Sequence, residues 1–162
     1  MILPNSIKRV IDELAKLPSI GPRQATRLAF YLVGLGTQSL TTLGGSIQAL
    51  ANLKTCEHCF LVHENTGALC AVCADSTRDQ SIIMVLEKET DLLSIETTKR
   101  YRGRYFIIGP IGKIGLLEEW QKVRLEKLKS FIRNHLAGRA KEIILAFNPT
   151  ANGDFNASNI AR

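Results

Sequence analysis

Apolar residues near the start of the chain recur every three or four positions, which is the spacing of an amphipathic helix. This spacing predicts a helix over residues 6–16, which Asn5 or Ser6 would cap. Its apolar face consists of Ile7, Val10, Ile11 and Leu14. The helix should end by Leu17, because a residue that precedes proline, here Pro18, avoids the α-helical backbone conformation.

Two further helices are predicted before the first cysteine. The second covers residues 24–33 and follows Pro22, which stands where the first turn of a helix tolerates proline. Its inward face would consist of Ala25, Leu28, Ala29 and Leu32. The third covers residues 40–54. The first third of the chain is therefore expected to be entirely helical.

From residue 81 onward, short apolar runs alternate with helical segments. Residues 81–86 are almost continuously apolar and rich in β-branched side chains, which predicts a buried parallel strand. Further strands are predicted over 104–108 and 142–147, with helices over 90–98 and 116–136. The apolar face of the longest helix would consist of Leu117, Trp120, Leu128, Phe131 and Ile132, with His135 beside them. The alternation predicts an α/β domain with a parallel sheet.

Charge is distributed unevenly along the chain. The formal net charge is +6 and the pI is near 9.3, with basic residues concentrated in 1–55 and 99–162 and acidic residues between them. One basic group precedes the second predicted strand and consists of Lys99, Arg100, Arg102 and Arg104. An asymmetric basic protein favours a polyanion as partner, most commonly nucleic acid.

Nothing in the sequence indicates a membrane protein or a secreted one. No apolar run approaches the roughly 20 residues that a membrane helix needs. The opening residues Met1-Ile2-Leu3-Pro4 do not begin a signal peptide. We therefore expect no membrane partner and a cytoplasmic location.

The four cysteines of the chain form two Cys-x2-Cys pairs separated by ten residues. Cys56 and Cys59, with Cys70 and Cys73, place four thiolates within reach of one tetrahedral ion, as in a structural zinc site. The turn-forming stretch over residues 64–67 would form a small hairpin that returns the second pair to the first. The pattern predicts one zinc ion with no open position for a substrate.

Three alternatives to a four-cysteine zinc site were weighed. A disulfide framework needs an oxidising compartment, which nothing in the sequence indicates. A thioredoxin-like redox site expects a single pair that opens a helix after a strand, not two pairs in a polar loop. His58 and His63 lie close enough in sequence to replace a ligand, but with four sulfurs present we expect both to be solvated.

Residues 17–23 read Leu-Pro-Ser-Ile-Gly-Pro-Arg and join the first two helices in the pattern of a helix-hairpin-helix element. Gly21 would let the backbone approach a phosphate, which the free amides at the start of the second helix would bind. Arg23 and Arg27, one turn apart, would add charged contacts to the DNA backbone. The alternative is a hairpin that only packs, since Ser19 stands where such elements often carry glycine.

Polar residues follow the predicted strands of the α/β domain. Glu87 closes the first strand, and residues 148–154 follow the third. Ligands of parallel sheets gather at this carboxyl edge, where paired acidic residues would bind Mg²⁺. Glu87 and Asp154 are too few for that site beside a neutral Asn148, so no Mg²⁺ is expected.

In their order and spacing, these motifs resemble the bacterial RecR family of recombination proteins along nearly the whole chain. The resemblance rests on residues 17–23, Arg27-Leu28-Ala29-Phe30, the two cysteine pairs, Val85-Leu86-Glu87 with Asp91, Tyr101-Arg102-Gly103 and Asn148-Pro149-Thr150. It implies an α+β protein of three modules. These are a helical region with a helix-hairpin-helix over 1–54, a four-cysteine zinc finger over 55–77 and a Toprim-like α/β domain over 78–162.

The resemblance also implies a function. It implies a non-catalytic mediator in DNA repair, associated with the nucleoid, that forms a dimer or a tetrameric ring around DNA and binds without sequence preference. Such proteins act with RecO and RecF to help load RecA at single-stranded gaps. Arg23 and Arg27 match the family's DNA contacts, while Glu87, Asp91 and Asn148 match a RecO contact rather than catalytic groups.

The chain departs from the family pattern in its last part. Asn148 and Thr150 stand where Toprim enzymes carry aspartates, a loss that RecR proteins share. Asn152 and Asp154 replace the glutamates usual in RecR, so we expect a weakened or altered RecO contact. Family members continue beyond the position of Arg162 with another strand and a segment that helps assemble the ring. The Toprim sheet is therefore expected to be incomplete, with an exposed edge.

Two other function classes stay open on the sequence alone. One is a Mg²⁺-dependent Toprim enzyme, such as a nuclease, primase or topoisomerase, with Glu87 and Asp154 as its metal ligands. The other is a zinc ribbon that binds RNA or a protein. The incomplete acidic set argues against the first, and the hairpin favours DNA over the second.

Overall fold

The computed structural model describes residues 3–112 and 117–161. The chain divides into two compact units, Met1–Asn52 and Leu53–Arg162. Each unit is described separately below. In the described parts of the chain, no helix is both long enough and apolar enough to span a membrane.

The first unit consists of helices, as the periodicity predicts. Its elements are α1 (Asn5–Leu14), α2 (Pro22–Gly34), α3 (Gly36–Ala49) and a short 3-10 turn (Leu50–Asn52). Pro22 occupies the first turn of α2, as expected. The expected cap of α1 is wrong: Asn5 is already helical, and no side chain caps this end. The third helix starts earlier than predicted, four residues before Leu40.

Small side chains let α1 pack closely against α2. Ala25 and Ala29 are buried, while Leu28 and Leu32 are half-buried on the same face of α2. The inward face predicted for α2 is thus confirmed. Helix α3 buries none of its residues in this chain.

The second unit opens with the two cysteine pairs. Strands β1 (Lys54–Thr55) and β2 (Val62–His63) pair antiparallel around the first pair, and α4 (Ala71–Ala74) follows the start of the second. The hairpin predicted around residues 64–67 is therefore misplaced. The second pair returns to the first through a hydrogen bond from the Glu57 N–H to the Ala68 carbonyl, at 3.1 Å.

The rest of the second unit is an α/β domain. Its elements are β3 (Ile82–Leu86), α5 (Glu89–Thr97), β4 (Arg104–Ile107), α6 (Glu119–His135), β5 (Glu142–Ala146) and α7 (Ala151–Ile160). The three strands form a parallel sheet in the order β4-β3-β5, with Val85 opposite Phe106 on one side and Leu145 on the other. The predicted parallel sheet is confirmed. Both faces are covered, because successive side chains of a strand point to opposite faces.

Each face of the sheet contributes its own apolar cluster. One buried cluster joins the sheet to α6 and consists of Ile83, Val85, Phe106, Ile108 and Leu128. The other joins it to α5 and consists of Leu86, Leu92, Tyr105 and Ile107. Burial on both faces explains why these strands are continuously apolar in sequence rather than alternating.

Helix α6 differs from its prediction at its start. It begins at Glu119 with a capping box between Glu118 and Gln121, and the predicted start at Leu116 lies outside the described residues. Trp120, expected in the core, keeps 42% of its surface exposed. Its ring instead covers Gly109, whose backbone has φ of 98° and where a Cβ atom would overlap the indole.

The first cysteine pair is fastened to strand β4. The Ile107 N–H donates to the Cys59 carbonyl at 2.9 Å, and the Phe60 and Phe106 rings meet edge to face with centroids 5.4 Å apart. A hydrogen bond between backbones and an aromatic pair hold the two parts together. The division of this unit at residues 77 and 78 stays a prediction.

Candidate functional site

Four cysteine side chains gather at one point of the second unit. Their sulfur atoms all lie within 4.8 Å of one another, and Cys56, Cys59 and Cys70 are buried while Cys73 is half-buried. The β1–β2 hairpin holds the first pair. The second pair stands at the start of α4, where the Cys73 N–H donates to the Cys70 sulfur at 3.4 Å. The grouping predicted from the spacing is confirmed.

The cluster fits a tetrahedral metal ion. Zinc–sulfur bonds of about 2.3 Å place sulfur atoms roughly 3.8 Å apart, and the Cys59 and Cys70 sulfurs are 3.5 Å apart. All four cysteines are free rather than disulfide-bonded. The residues present could therefore bind one metal ion through a closed set of four sulfurs.

The electrostatics of the thiols point the same way. Hydrogen bonds from Cys59 and then Cys73 lower the pKa of Cys70 to about 2, whereas the bond with Cys70 raises the pKa of Cys59. One thiolate thus holds the protons of its neighbours. Four thiolates this close together would repel one another, so a cation among them is needed for all to ionise.

The two histidines near the cysteines are not solvated, so that prediction is wrong. His63 is buried, and its Nδ1 accepts a hydrogen bond from the Asn65 N–H at 3.2 Å. His58 is half-buried and lies 2.8 Å from the guanidinium of Arg104. Because an arginine can only donate, Nδ1 of His58 is an acceptor there. Burial, followed by the charge of Arg104, lowers the pKa of His58 and keeps the ring neutral.

In the first unit, the hairpin presents an open helix start with two exposed arginines. Gly21 precedes α2, Arg23 lies in its first turn and Arg27 one turn later. No side chain caps this end of α2, so its first free N–H groups face outward with the positive end of the helix dipole. Among the described residues, no carboxylate lies within 4.0 Å of either arginine.

Two backbone conformations refine the interpretation of the hairpin. Ser19 has φ of 64°, the left-handed conformation that favours glycine, so the turn keeps its shape although a serine occupies it. Gly21 instead has an ordinary extended backbone with φ of −83°. A Cβ at Gly21 would meet no atom within 4 Å. The fold of this chain does not require glycine there, but its absent side chain leaves the start of α2 open.

At the carboxyl edge of the sheet, Glu87 and Asn148 meet as predicted. The Glu87 carboxylate accepts one hydrogen bond from the Asn148 N–H at 2.8 Å and another from its side-chain amide at 3.2 Å. Glu87 is buried with 5% of its surface exposed, whereas Asn148 is exposed. The carboxylate therefore holds the loop after β5 and is not directed to solvent.

The other acidic residues of this edge do not complete a metal site. Asp91 is half-buried in the first turn of α5, and Asp154 is exposed in the first turn of α7. Within residues 3–112 and 117–161, the four cysteines are the one group of three or more metal-ligating side chains that lies close enough for a shared ion. Gly153 packs against the Asn148 carbonyl, which leaves no room there for a Cβ atom.

Two buried arginines near the cysteines were not singled out by sequence reasoning. Arg78 forms a bidentate ion pair with Glu96 at 2.6 and 2.9 Å, and Tyr105 donates to the same carboxylate at 2.7 Å. Arg104 belongs to the basic group before β4, but it is buried while Arg102 is exposed. Its position as the first residue of a strand buried at every position was the only signal.

Comparisons with known proteins agree with these features. The family profile described as "RecR, helix-hairpin-helix" matches residues 7–51, and the one described as "Toprim domain" matches residues 81–162. Relatives titled "Recombination protein RecR" include that of Frankia alni, 34% identical over 96% of this chain and 76% of the relative. That of Lactococcus lactis subsp. cremoris is 33% identical over 100% of this chain and 80% of the relative. With both modules matched and such relatives aligned along nearly its whole length, the chain belongs to the RecR family of recombination proteins.

Proposed function

We propose that this protein is a non-catalytic, DNA-binding mediator of recombination in DNA repair. The observation that carries the proposal is the exposed hairpin of the first unit, with an uncapped helix start and two unpaired arginines among the described residues. Backbone amides and arginines recognise phosphate without reading bases. Binding would therefore be independent of DNA sequence and sensitive to salt.

The first prediction concerns the arginines of the hairpin. Arg23→Ala combined with Arg27→Ala should weaken binding to DNA of every sequence, because two phosphate contacts are lost. The slope of log affinity against log salt should fall by about 1.8 on duplex DNA, or about 0.9 per lost contact. Fluorescence anisotropy over a salt titration measures both quantities.

A matched control separates a local contact from a loss of general charge. Lys122→Ala combined with Lys129→Ala also removes two exposed positive charges, but each lysine is already paired with a glutamate on α6, at 2.6 and 2.9 Å. This control should leave the salt slope nearly unchanged. An unaltered slope for the hairpin variant would contradict the proposed contact, and a preference for RNA in competition would favour an RNA-binding role.

The cysteine cluster is proposed to hold one structural zinc ion. Four sulfur ligands form a closed tetrahedral set, which suits zinc and leaves no coordination position for a substrate. When bound, the ion would cross-link the β1–β2 hairpin to α4. The residues themselves bury little apolar surface here, since the cluster consists of cysteines packed against Leu61, Leu69 and Val72.

The second prediction concerns the metal. Elemental analysis of the purified protein should find one zinc per chain, and Cys56→Ser combined with Cys70→Ser should abolish it. Metal binding contributes on the order of 10 kcal/mol to the folding of small zinc domains, so the β1–α4 region should lose protection from proteolysis in the variant. A protein that is free of metal and equally protected would contradict a structural zinc.

The carboxyl edge of the sheet is proposed as a protein contact rather than a catalytic centre. The oxygens of Glu87 are bonded to Asn148, and the described residues assemble no carboxylate cluster for Mg²⁺. Asn148 is exposed and Asp91 is half-buried at the same edge. We propose that this edge contacts RecO, and that the protein acts with RecO and RecF to help load RecA at single-stranded gaps.

The third prediction tests this edge. Asn148→Ala and Asp91→Asn should each weaken binding to purified RecO about tenfold in a calorimetric titration, because each removes a polar contact at the edge. Glu87→Gln should do the same indirectly, since an amide cannot accept both bonds that Asn148 donates. DNA affinity should not change.

Glu126→Gln is the control for these variants, because it alters an exposed carboxylate on α6 that is paired with Lys129. Equal RecO affinity in all four proteins would contradict the contact. Mg²⁺-dependent cleavage or relaxation of DNA by the unaltered protein, lost in Glu87→Gln, would show instead that the edge is catalytic.

The first unit is also proposed to mediate self-association. One side of α3 and the turn after it exposes an apolar row spaced three and four residues apart, as in a coiled-coil seam. The row consists of Leu40, Leu43, Ile47 and Leu50, which expose 37 to 62% of their surface. A second copy of the same row would bury it, which supports a homo-oligomer.

The fourth prediction follows from this row. Leu43→Glu combined with Ile47→Glu should lower the mass in solution to that of a single chain, measured by light scattering after size exclusion, because charges would enter the seam. Thr41→Glu combined with Gln48→Glu adds the same charge to exposed polar positions of α3 and should leave the mass unchanged. If the seam variant keeps the mass of the unaltered oligomer, the row is not the interface.

A further inference from the structure

Arg104 is a buried positive charge without a negative partner. It exposes only 7% of its surface at the start of β4. Across the described residues, no carboxylate lies within 4.0 Å of it. A buried charge is costly unless it is paired, so the fold should provide a counter-charge for this guanidinium.

The other buried arginine of this unit shows how such a charge is ordinarily balanced. Arg78 carries a two-pronged bond to Glu96 and lies 3.5 Å from Asp75. Its pKa is raised, first through the hydrogen bond to Glu96. Arg104 has no equivalent of Glu96.

The groups that do contact Arg104 carry no negative charge. Its guanidinium bonds to Nδ1 of His58 at 2.8 Å and lies over the Phe131 ring, 4.3 Å from the ring centre. His58 is a neutral acceptor there, and an aromatic face offers only a weak electrostatic attraction. These contacts orient the guanidinium without balancing it.

The cysteine cluster supplies the missing charge. His58 lies between Cys56 and Cys59, so its bond to Arg104 brings the guanidinium to the first cysteine pair. On the second pair, the guanidinium lies close enough to Cys73 to favour its thiolate. Four thiolates around one divalent cation carry a net charge of about −2, which is buried with them.

We propose that Arg104 is the positioning residue of the metal centre: its guanidinium balances the negative charge of the metal–tetrathiolate group, and its bond to His58 fixes the first cysteine pair on strand β4. This inference rests on the proposed zinc ion. Groups beyond the direct ligands orient those ligands and typically change metal affinity 10- to 100-fold when they are altered.

A structural consequence follows for the α/β domain. The same cysteine pair is held on β4 by the bond from Ile107 to Cys59 and by the contact of Phe60 with Phe106. Retention of the metal and attachment of this pair to the sheet therefore support each other. Loss of the ion would leave Arg104 buried without a counter-charge and weaken the attachment.

The test measures how fast the zinc-loaded full chain releases its metal. Zinc release into excess EDTA, followed with a metallochromic indicator, should be about tenfold faster in Arg104→Met than in the unaltered protein. Arg104→Lys keeps the charge and should release zinc more slowly than Arg104→Met. Arg102→Met removes an exposed arginine two residues away and should release zinc at the unaltered rate.

Two further measurements separate charge balance from general destabilisation. The visible spectrum of the cobalt-substituted variants should still show four sulfur ligands, and hydrogen exchange at the Ile107 amide should speed up in Arg104→Met but not in Arg102→Met. Equal release rates for Arg104→Met and the unaltered protein would overturn the proposal, as would equal rates for Arg104→Met and Arg104→Lys. A chain that binds no zinc fails the metal proposal itself, which the zinc content reveals before any release is measured.

Discussion

The attachment of the first cysteine pair to strand β4 is the constraint on which the second unit depends. Residues 53–77 have almost no apolar core of their own, because the buried positions of this stretch are mainly cysteines. A segment that buries so little carbon cannot offset the entropy of its own ordering. The proposed metal supplies that free energy from within, and the contacts of Cys59 and Phe60 with β4 transmit it to the sheet.

Charge follows the same division between what is buried and what is exposed. The exposed arginines of the hairpin have no carboxylate partner among the described residues, which suits groups proposed to meet a phosphate. The buried arginines instead need partners, and Arg78 has one in Glu96. For Arg104 the proposed partner is the metal–thiolate group. Basic residues of one type thus serve opposite purposes according to whether water reaches them.

The carboxyl edge of the sheet shows a family site in which a carboxylate has a structural use. Toprim enzymes use this edge to hold a metal, but here the Glu87 carboxylate is bonded at both oxygens to Asn148. The bond closes the loop after β5 onto β3 and leaves Asn148 exposed. Such a loop can present a fixed surface to another protein, which is the role proposed for it.

The sequence by itself determined the helices, the three parallel strands, the cysteine group and the RecR resemblance. These depend on local spacing, such as the recurrence of apolar residues or the two residues between paired cysteines. Only the tertiary structure decided that Trp120 stays exposed, that His63 is buried and that Arg104 is enclosed while Arg102 is not. Those outcomes depend on contacts between residues distant in sequence, such as the 46 positions from His58 to Arg104, which local periodicity does not encode.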